Sequence, residues 1–235
     1  MLSRVVAWFT FAVVGLCALP LRAESPQNFA FELKFGPYKP QVDSSVKNGT
    51  PYKDIFGSNP FFFTQIEFDW QFWRKVGSFG LGFTLGYGRD KGKALTADGA
   101  DKSADKAEFH ILPLAIMLVY RFDYVAKRFN VPLVPYVKFG FDYYIWWTRT
   151  ATGKIPVVDG KKGYGGTWGF HVNAGLAFLL DFFSPGTAKS FDAEVGVNHS
   201  YLFAELFYAK VNNFFRSRSI DLSDLTFTVG LAFEF

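Results

Sequence analysis

The chain has 235 residues, 49% of them hydrophobic and 20% aromatic, with 30 Phe and only 20% charged residues. That length suits one domain, and so much apolar bulk with so little charge excludes a disordered chain. The absence of a sustained apolar stripe of helical period argues against a helix bundle.

Residues 1–23 read as a secretory signal peptide. Met1 to Arg4 is a short basic start, Val5 to Leu21 an apolar run, and Ala23 offers a small residue for cleavage. Competing readings are an uncleaved anchor and a lipoprotein signal at Cys17, the second disfavoured by the bulky Leu16 before it. Cleavage removes Arg4 and Arg22, which leaves 23 Lys plus Arg against 21 Asp plus Glu, a formal charge of +2. So slight a basic excess gives no basis for a nucleic-acid partner. Cys17, the single cysteine, goes with the same segment, which excludes disulfides, thiol nucleophiles and cysteine-based zinc sites.

Residues 24–235 then alternate with period two. Strands are expected over Phe29–Gly36, Phe61–Phe72, Phe79–Gly88, Phe109–Tyr124, Pro135–Thr148, Thr167–Asp181, Phe191–Tyr208 and Leu225–Phe235. Long polar connections, roughly 37–60, 89–108, 149–166 and 209–224, alternate with shorter ones near Trp73–Ser78, Val125–Val134 and Ser184–Ser190. An even-stranded meander with short turns at one rim and long loops at the other predicts an all-β, antiparallel, up-and-down transmembrane β-barrel of eight strands. Ten strands are the alternative, if a long loop holds an extra hairpin, for which residues 37–59 are the first candidate.

Alternation alone also fits a soluble, lipocalin-like barrel with its apolar face inside. In the third strand Phe79, Leu81, Phe83, Leu85 and Tyr87 alternate with four glycines and a threonine. Such small residues suit a crowded lumen better than a solvated exterior, and eight apolar faces would overfill a narrow interior. Aromatics gather at strand ends: Trp70, Phe72, Trp73, Phe79, Tyr120 and Phe122 toward the short turns, and Tyr87, Tyr144, Trp146, Trp147, Trp168, Tyr201 and Phe203 toward the long loops. Two such girdles are what a bilayer's headgroup layers select.

The chain ends Thr228-Val-Gly-Leu-Ala-Phe-Glu-Phe235. This resembles the C-terminal β-signal of outer-membrane proteins, and the resemblance implies that Thr228, Gly230, Phe233 and Phe235 are read by the barrel-assembly machinery. The architecture is similar to the small OmpA, OmpX and OmpW type of barrel. Leu133-Val-Pro-Tyr-Val-Lys-Phe-Gly-Phe-Asp-Tyr-Tyr-Ile-Trp-Trp147 and Gly196-Val-Asn-His-Ser-Tyr-Leu-Phe203 resemble a myxobacterial-type outer-membrane barrel family of unassigned function. These resemblances imply the outer membrane of a Gram-negative bacterium, in contact with membrane lipid and lipopolysaccharide, and a closed barrel, which has no free edge, is expected to be a monomer.

The lumen face carries Glu32, Lys34, Glu67, Asp69, Lys138, Asp142 and Glu194, so charges there must pair: Lys34 with Glu67, and Lys138 with Asp142 or Glu194. Either a packed polar plug or a narrow channel for small solutes is open. The basic positions Lys161, Lys162, Arg216 and Arg218 on the third and fourth long loops suit contacts with lipopolysaccharide phosphates, against the plainer reading of a solvated loop face. Lipid A deacylases of the PagL kind place a His two residues before a Ser. Here His199 and Ser200 are adjacent, with Glu194 or Glu205 nearby, and adjacent strand residues point to opposite faces. A lipid A-modifying hydrolase is therefore the weaker alternative to a non-enzymatic envelope protein. His110, His171 and His199 lack metal-ligand spacing, and no cofactor motif is present.

Overall fold

The computed structural model describes residues 28–96, 101–129, 131–158, 160–216 and 219–235; the expected signal peptide and Arg218 lie outside the described residues. Eight strands form one barrel: β1 (Phe29–Tyr38), β2 (Phe61–Lys75), β3 (Gly77–Leu95), β4 (Lys102–Arg121), β5 (Leu133–Arg149), β6 (Tyr164–Leu179), β7 (His199–Val211) and β8 (Asp224–Glu234). Each pairs antiparallel with its neighbour in sequence, and β1 closes on β8 from Ala30 opposite Glu234 to Phe35 opposite Val229. Closure removes the free strand edges. The ten-strand alternative falls: residues 37–59 hold a 3-10 turn (Val42–Ser45) and the short helix α1 (Pro51–Phe56), and the one small hairpin among the described loop residues, within 157–162, is a separate two-stranded ribbon that does not join the barrel.

Burial alternates residue by residue along the strands. Its sense is the reverse of a soluble protein's: Ile116, Phe141 and Leu206 on the outer face are 59%, 60% and 64% exposed, whereas Glu67, Asp69 and Lys138 inside are at most 1% exposed. In water this arrangement would waste the hydrophobic effect; against hydrocarbon it is the stable one, since the closed barrel pairs each strand's backbone with a neighbour on both sides. Aromatic rings belt the short-turn end: Phe29 stacks on Phe68 at 5.4 Å, Trp73 meets Phe79 at 5.5 Å, and Phe79 meets Tyr120 at 4.6 Å. At the long-loop end Tyr143 packs on Trp168 at 4.4 Å.

The closing seam depends on Gly230. A Cβ there would lie 2.0 Å from the Leu33 carbonyl oxygen and 2.7 Å from the Phe203 ring, so only glycine lets β8 approach β1 this closely.

Several elements depart from the sequence expectation. β3 and β4 are 19 and 20 residues long, twice the roughly 10 that cross a bilayer, so most of the expected loop at 89–108 continues as a hairpin beyond it. The seventh strand begins at His199, because the stretch from Pro185 to Val195 is the helix α3. Ser184 precedes it, Pro185 stands in its first turn and left-handed Gly196 (φ 77°) ends it. A second short helix, α2 (Tyr124–Phe129), fills the β4–β5 connection, and the β5–β6 loop carries a ribbon of Val157–Val158 on Lys161–Lys162. Tyr144, Tyr201 and Phe203, expected in the outer girdle, are buried in the lumen; on β7 the later strand start also moves Tyr201 and Phe203 to the short-turn end.

Candidate functional site

The lumen is the most chemically distinctive part of the molecule, and every strand supplies one of its groups. At mid-height Lys138 Nζ donates to Glu32 Oε2 and Glu67 Oε1, each at 2.6 Å. Lys34 donates to Glu67 and, at 3.2 Å, to Glu205 Oε1. Glu205 also accepts from Thr228 at 2.9 Å, from Tyr136 at 3.1 Å and from Asn173 at 3.1 Å, and Thr84 reaches Glu67 at 3.3 Å. Below, Arg121 bridges Glu32 and Asp69. Toward the short-turn end Glu234 accepts from Gln71 and Tyr201, both at 3.0 Å.

Four carboxylates (Glu32, Glu67, Asp69, Glu205) thus face three cations (Lys34, Arg121, Lys138) in the buried interior of the barrel. Desolvating each charge is costly, and only this dense mutual pairing offsets it. Oxygens of Glu32, Glu67 and Asp69 come within 4.8 Å of one another, close enough to hold a metal ion. Lys34, Lys138 and Arg121 already supply the positive charge there.

Above the network Asp142 pairs with His171 at 2.9 Å, and His171 stacks on Phe207 at 5.7 Å. An aromatic roof follows: Tyr38, Phe63, Ile111, Tyr144, Phe207 and Leu222 pack as one buried cluster, joined by Tyr52 of α1. Tyr38 donates to the Leu222 carbonyl, tying β1 to the β7–β8 loop. Asp43 holds α1 over the mouth by accepting from the amides of Tyr52 (2.7 Å) and Lys53 (3.1 Å). Burial pushes the Tyr52 hydroxyl well above its ordinary pKa, and it stays a neutral donor to Asp90 at 2.8 Å.

The lumen positions expected from the sequence therefore separate. Glu32, Lys34, Glu67, Asp69 and Lys138 meet in one network, and Asp142 sits above it with His171 instead of with Lys138. Lys138 and Asp142 are four residues apart on one strand, about 13 Å at 3.3 Å per residue, too far to pair. Glu194 is not in the lumen: it lies exposed on α3, and the β7 carboxylate near Lys138 is Glu205, at 3.9 Å, with Lys34 as its closer cation at 3.2 Å. His199 lies at the short-turn rim, where its Nδ1 bonds Asp181 at 2.7 Å and not Ser200. Ser200 points to the other face and gives its amide to the same Asp181 at 3.2 Å, so the two residues form no nucleophile–base pair.

At the long-loop end the basic positions divide as well. Arg216 lines a cleft of about 380 Å³ between Ser44–Lys47 and the β7–β8 loop. In that loop Asn213, Phe214 and Phe215 are three consecutive left-handed residues (φ 56°, 55° and 68°), a conformation that costs roughly 1–2 kcal/mol each outside glycine. Asp221 anchors the loop to Lys210 at 2.9 Å. Burial raises its pKa, but hydrogen bonds from Ser223 and Lys210 outweigh that and hold it below the ordinary aspartate value. Lys161 and Lys162 stand exposed on their ribbon, which belongs to a different loop.

No family model matches the chain, and no curated protein matches it. Among solved structures it is similar to the outer-membrane protein OprG of Pseudomonas aeruginosa, at 13% identity over 89% of this chain and 96% of that one, with a TM-score of 0.50. It is also similar to Ail of Yersinia pestis, solved with the heparin analogue sucrose octasulfate (12% identity, 89% of this chain, 97% of that one, TM-score 0.44). The N-terminal β-barrel domain of Pseudomonas aeruginosa OprF matches at 12% identity over 90% of this chain and all of that one, with a TM-score of 0.42. The likeness is one of fold: the small, closed, eight-stranded barrel of outer-membrane proteins.

Proposed function

We propose that this protein is a non-enzymatic, monomeric outer-membrane barrel of a Gram-negative envelope, with a stoppered lumen and a functional surface made by its outer loops. The observation that carries this reading is the transverse ion network under an aromatic roof, which leaves the lumen filled by side chains. Charged groups that are buried and largely paired with one another offer little to a passing solute, whereas the loops carry exposed cations such as Lys161, Lys162 and Arg216 and exposed apolar side chains such as Phe214 and Phe215. Residues 1–23 act as the cleaved export signal in this account. Thr228, Gly230, Phe233 and Phe235 act as the assembly signal, supported by the burial of Thr228 and Gly230 against the partial exposure of Phe233 and Phe235. Kinship with the myxobacterial-type barrels belongs to the same reading.

Lys161, Lys162, Arg216 and Arg218 grip phosphates of lipopolysaccharide, because charge-assisted hydrogen bonds to phosphate are strong; Lys161, Lys162 and Arg216 stand exposed at the long-loop end. Alanine at all four positions lowers the lipopolysaccharide that co-purifies with the folded barrel. Unchanged co-purification overturns this assignment.

A further inference from the structure

A second cleft opens at the long-loop end, about 350 Å³ in volume, between α1, the projecting β3–β4 hairpin and the β5–β6 loop. Its walls are mainly apolar: Ile55, Phe56, Leu95, Ala107 and Pro156. Gly92 lets α1 form the floor, since a Cβ there would lie 2.2 Å from the Ile55 carbonyl oxygen. The volume and apolar character are those of a small-molecule site.

The rim is basic beyond what folding needs. Arg149 and Lys106 line it, with Asp105 the one carboxylate among the lining residues. Glu108, opposite Arg149 in the β4–β5 register, already pairs with Arg89 at 3.0 Å and with His110 at 3.2 Å. Lys106 stands directly across from Lys93 in the β3–β4 register. Like charges directly opposite on a ladder are destabilising, so this pairing favours a bound anion.

We propose that this cleft binds an anionic amphiphile, with an aliphatic or aromatic body between Ile55, Leu95 and Pro156 and an acidic head on Arg149 and Lys106. The proposal deepens the loop-binding reading and rests on it, but it concerns different residues from the lipopolysaccharide contacts, so the two fail separately.

The test uses the full chain refolded in phosphatidylcholine nanodiscs, titrated calorimetrically with octanoate and with 1-octanol against empty nanodiscs. Saturable one-site octanoate binding is expected above the blank, with 1-octanol weaker by about tenfold or more for want of the charged contact. Arg149→Gln weakens octanoate by a similar factor, and Ala107→Trp, which fills the cleft, abolishes it, while heat-modifiable electrophoretic mobility shows that both variants are folded. Lys189→Gln on α3, at the opposite end, leaves binding intact. Lipopolysaccharide in the nanodisc that displaces octanoate identifies a membrane lipid as the source of the amphiphile; octanoate that stays bound identifies a free one, and both uphold the site. Octanoate heats equal to the blank, equal affinities for octanoate and octanol, or full binding by Arg149→Gln would overturn it.

Discussion

Lys138 on β5 reaches across the lumen to Glu67 on β2, 2.6 Å from Nζ to Oε1, although the two strands share no backbone ladder. With Glu32 as its second partner at 2.6 Å, Lys138 braces opposite walls of the barrel. Replacing it by Met strands two buried carboxylates, which should cost about 3–5 kcal/mol. Adding Glu67→Leu and Glu32→Leu recovers much of that loss, because the desolvation penalty disappears along with the attraction. Urea unfolding from lipid vesicles, followed by tryptophan fluorescence, measures both; additive losses across the three substitutions would show that the network is not one unit.

The seam glycine makes a different kind of demand. Gly230→Ala places a methyl group against the Leu33 carbonyl and the Phe203 ring, and relief requires β1 and β8 to separate. A loss of about 1–3 kcal/mol is expected from such overpacking. Refolding into vesicles with no assembly machinery present separates this effect from a recognition defect: a seam effect persists there, while a pure signal effect vanishes.

Phe141 sits at the middle of β5 with its ring turned outward. Phe141→Arg should cost about 2–4 kcal/mol in vesicles, the penalty for a cation at the bilayer midplane. Glu194→Arg on the exposed α3 should cost almost nothing. Equal effects from the two substitutions would contradict the membrane orientation of the strands.

Asp221 predicts a pH response confined to the outer loop. Its carboxyl is held below the ordinary aspartate value of 3.8 in the folded chain, so its contribution to loop anchoring is fully present above the unfolded pKa and is lost as pH falls through the folded one. The Ser223 amide, which donates to Asp221 Oδ1 at 2.9 Å, reports the titration by NMR. A midpoint below 3.8 is expected, moving upward in Lys210→Ala.

Much of this molecule is legible in its sequence, for a physical reason. Strand parity fixes which residues share a face, so Glu32, Lys34, Glu67, Asp69 and Lys138 are identifiable as inward, and the glycines of β3 show which face is crowded. Parity does not report height, and so the pairing of Lys138 was not legible from its face alone. Strand spacing, at about 3.3 Å per residue, excludes Asp142. Phe191, Ala193, Val195 and Val197 alternate like a strand, which concealed α3 and with it Glu205's place in the network. The signals for a helix were there: Pro185 at its start and Gly196 at its end. The long β3–β4 hairpin is hidden because, beyond the bilayer, neither of its faces meets hydrocarbon and one packs on α1, so its residues need not alternate in polarity.

The central claim is that side chains close the lumen, and single-channel conductance in a planar bilayer tests it most directly. The wild-type barrel should be silent, while Lys34→Ala and Glu67→Ala, which open the network at mid-height, should admit ion flow. Steady conductance through the wild-type protein, unaltered by either substitution, would contradict the account.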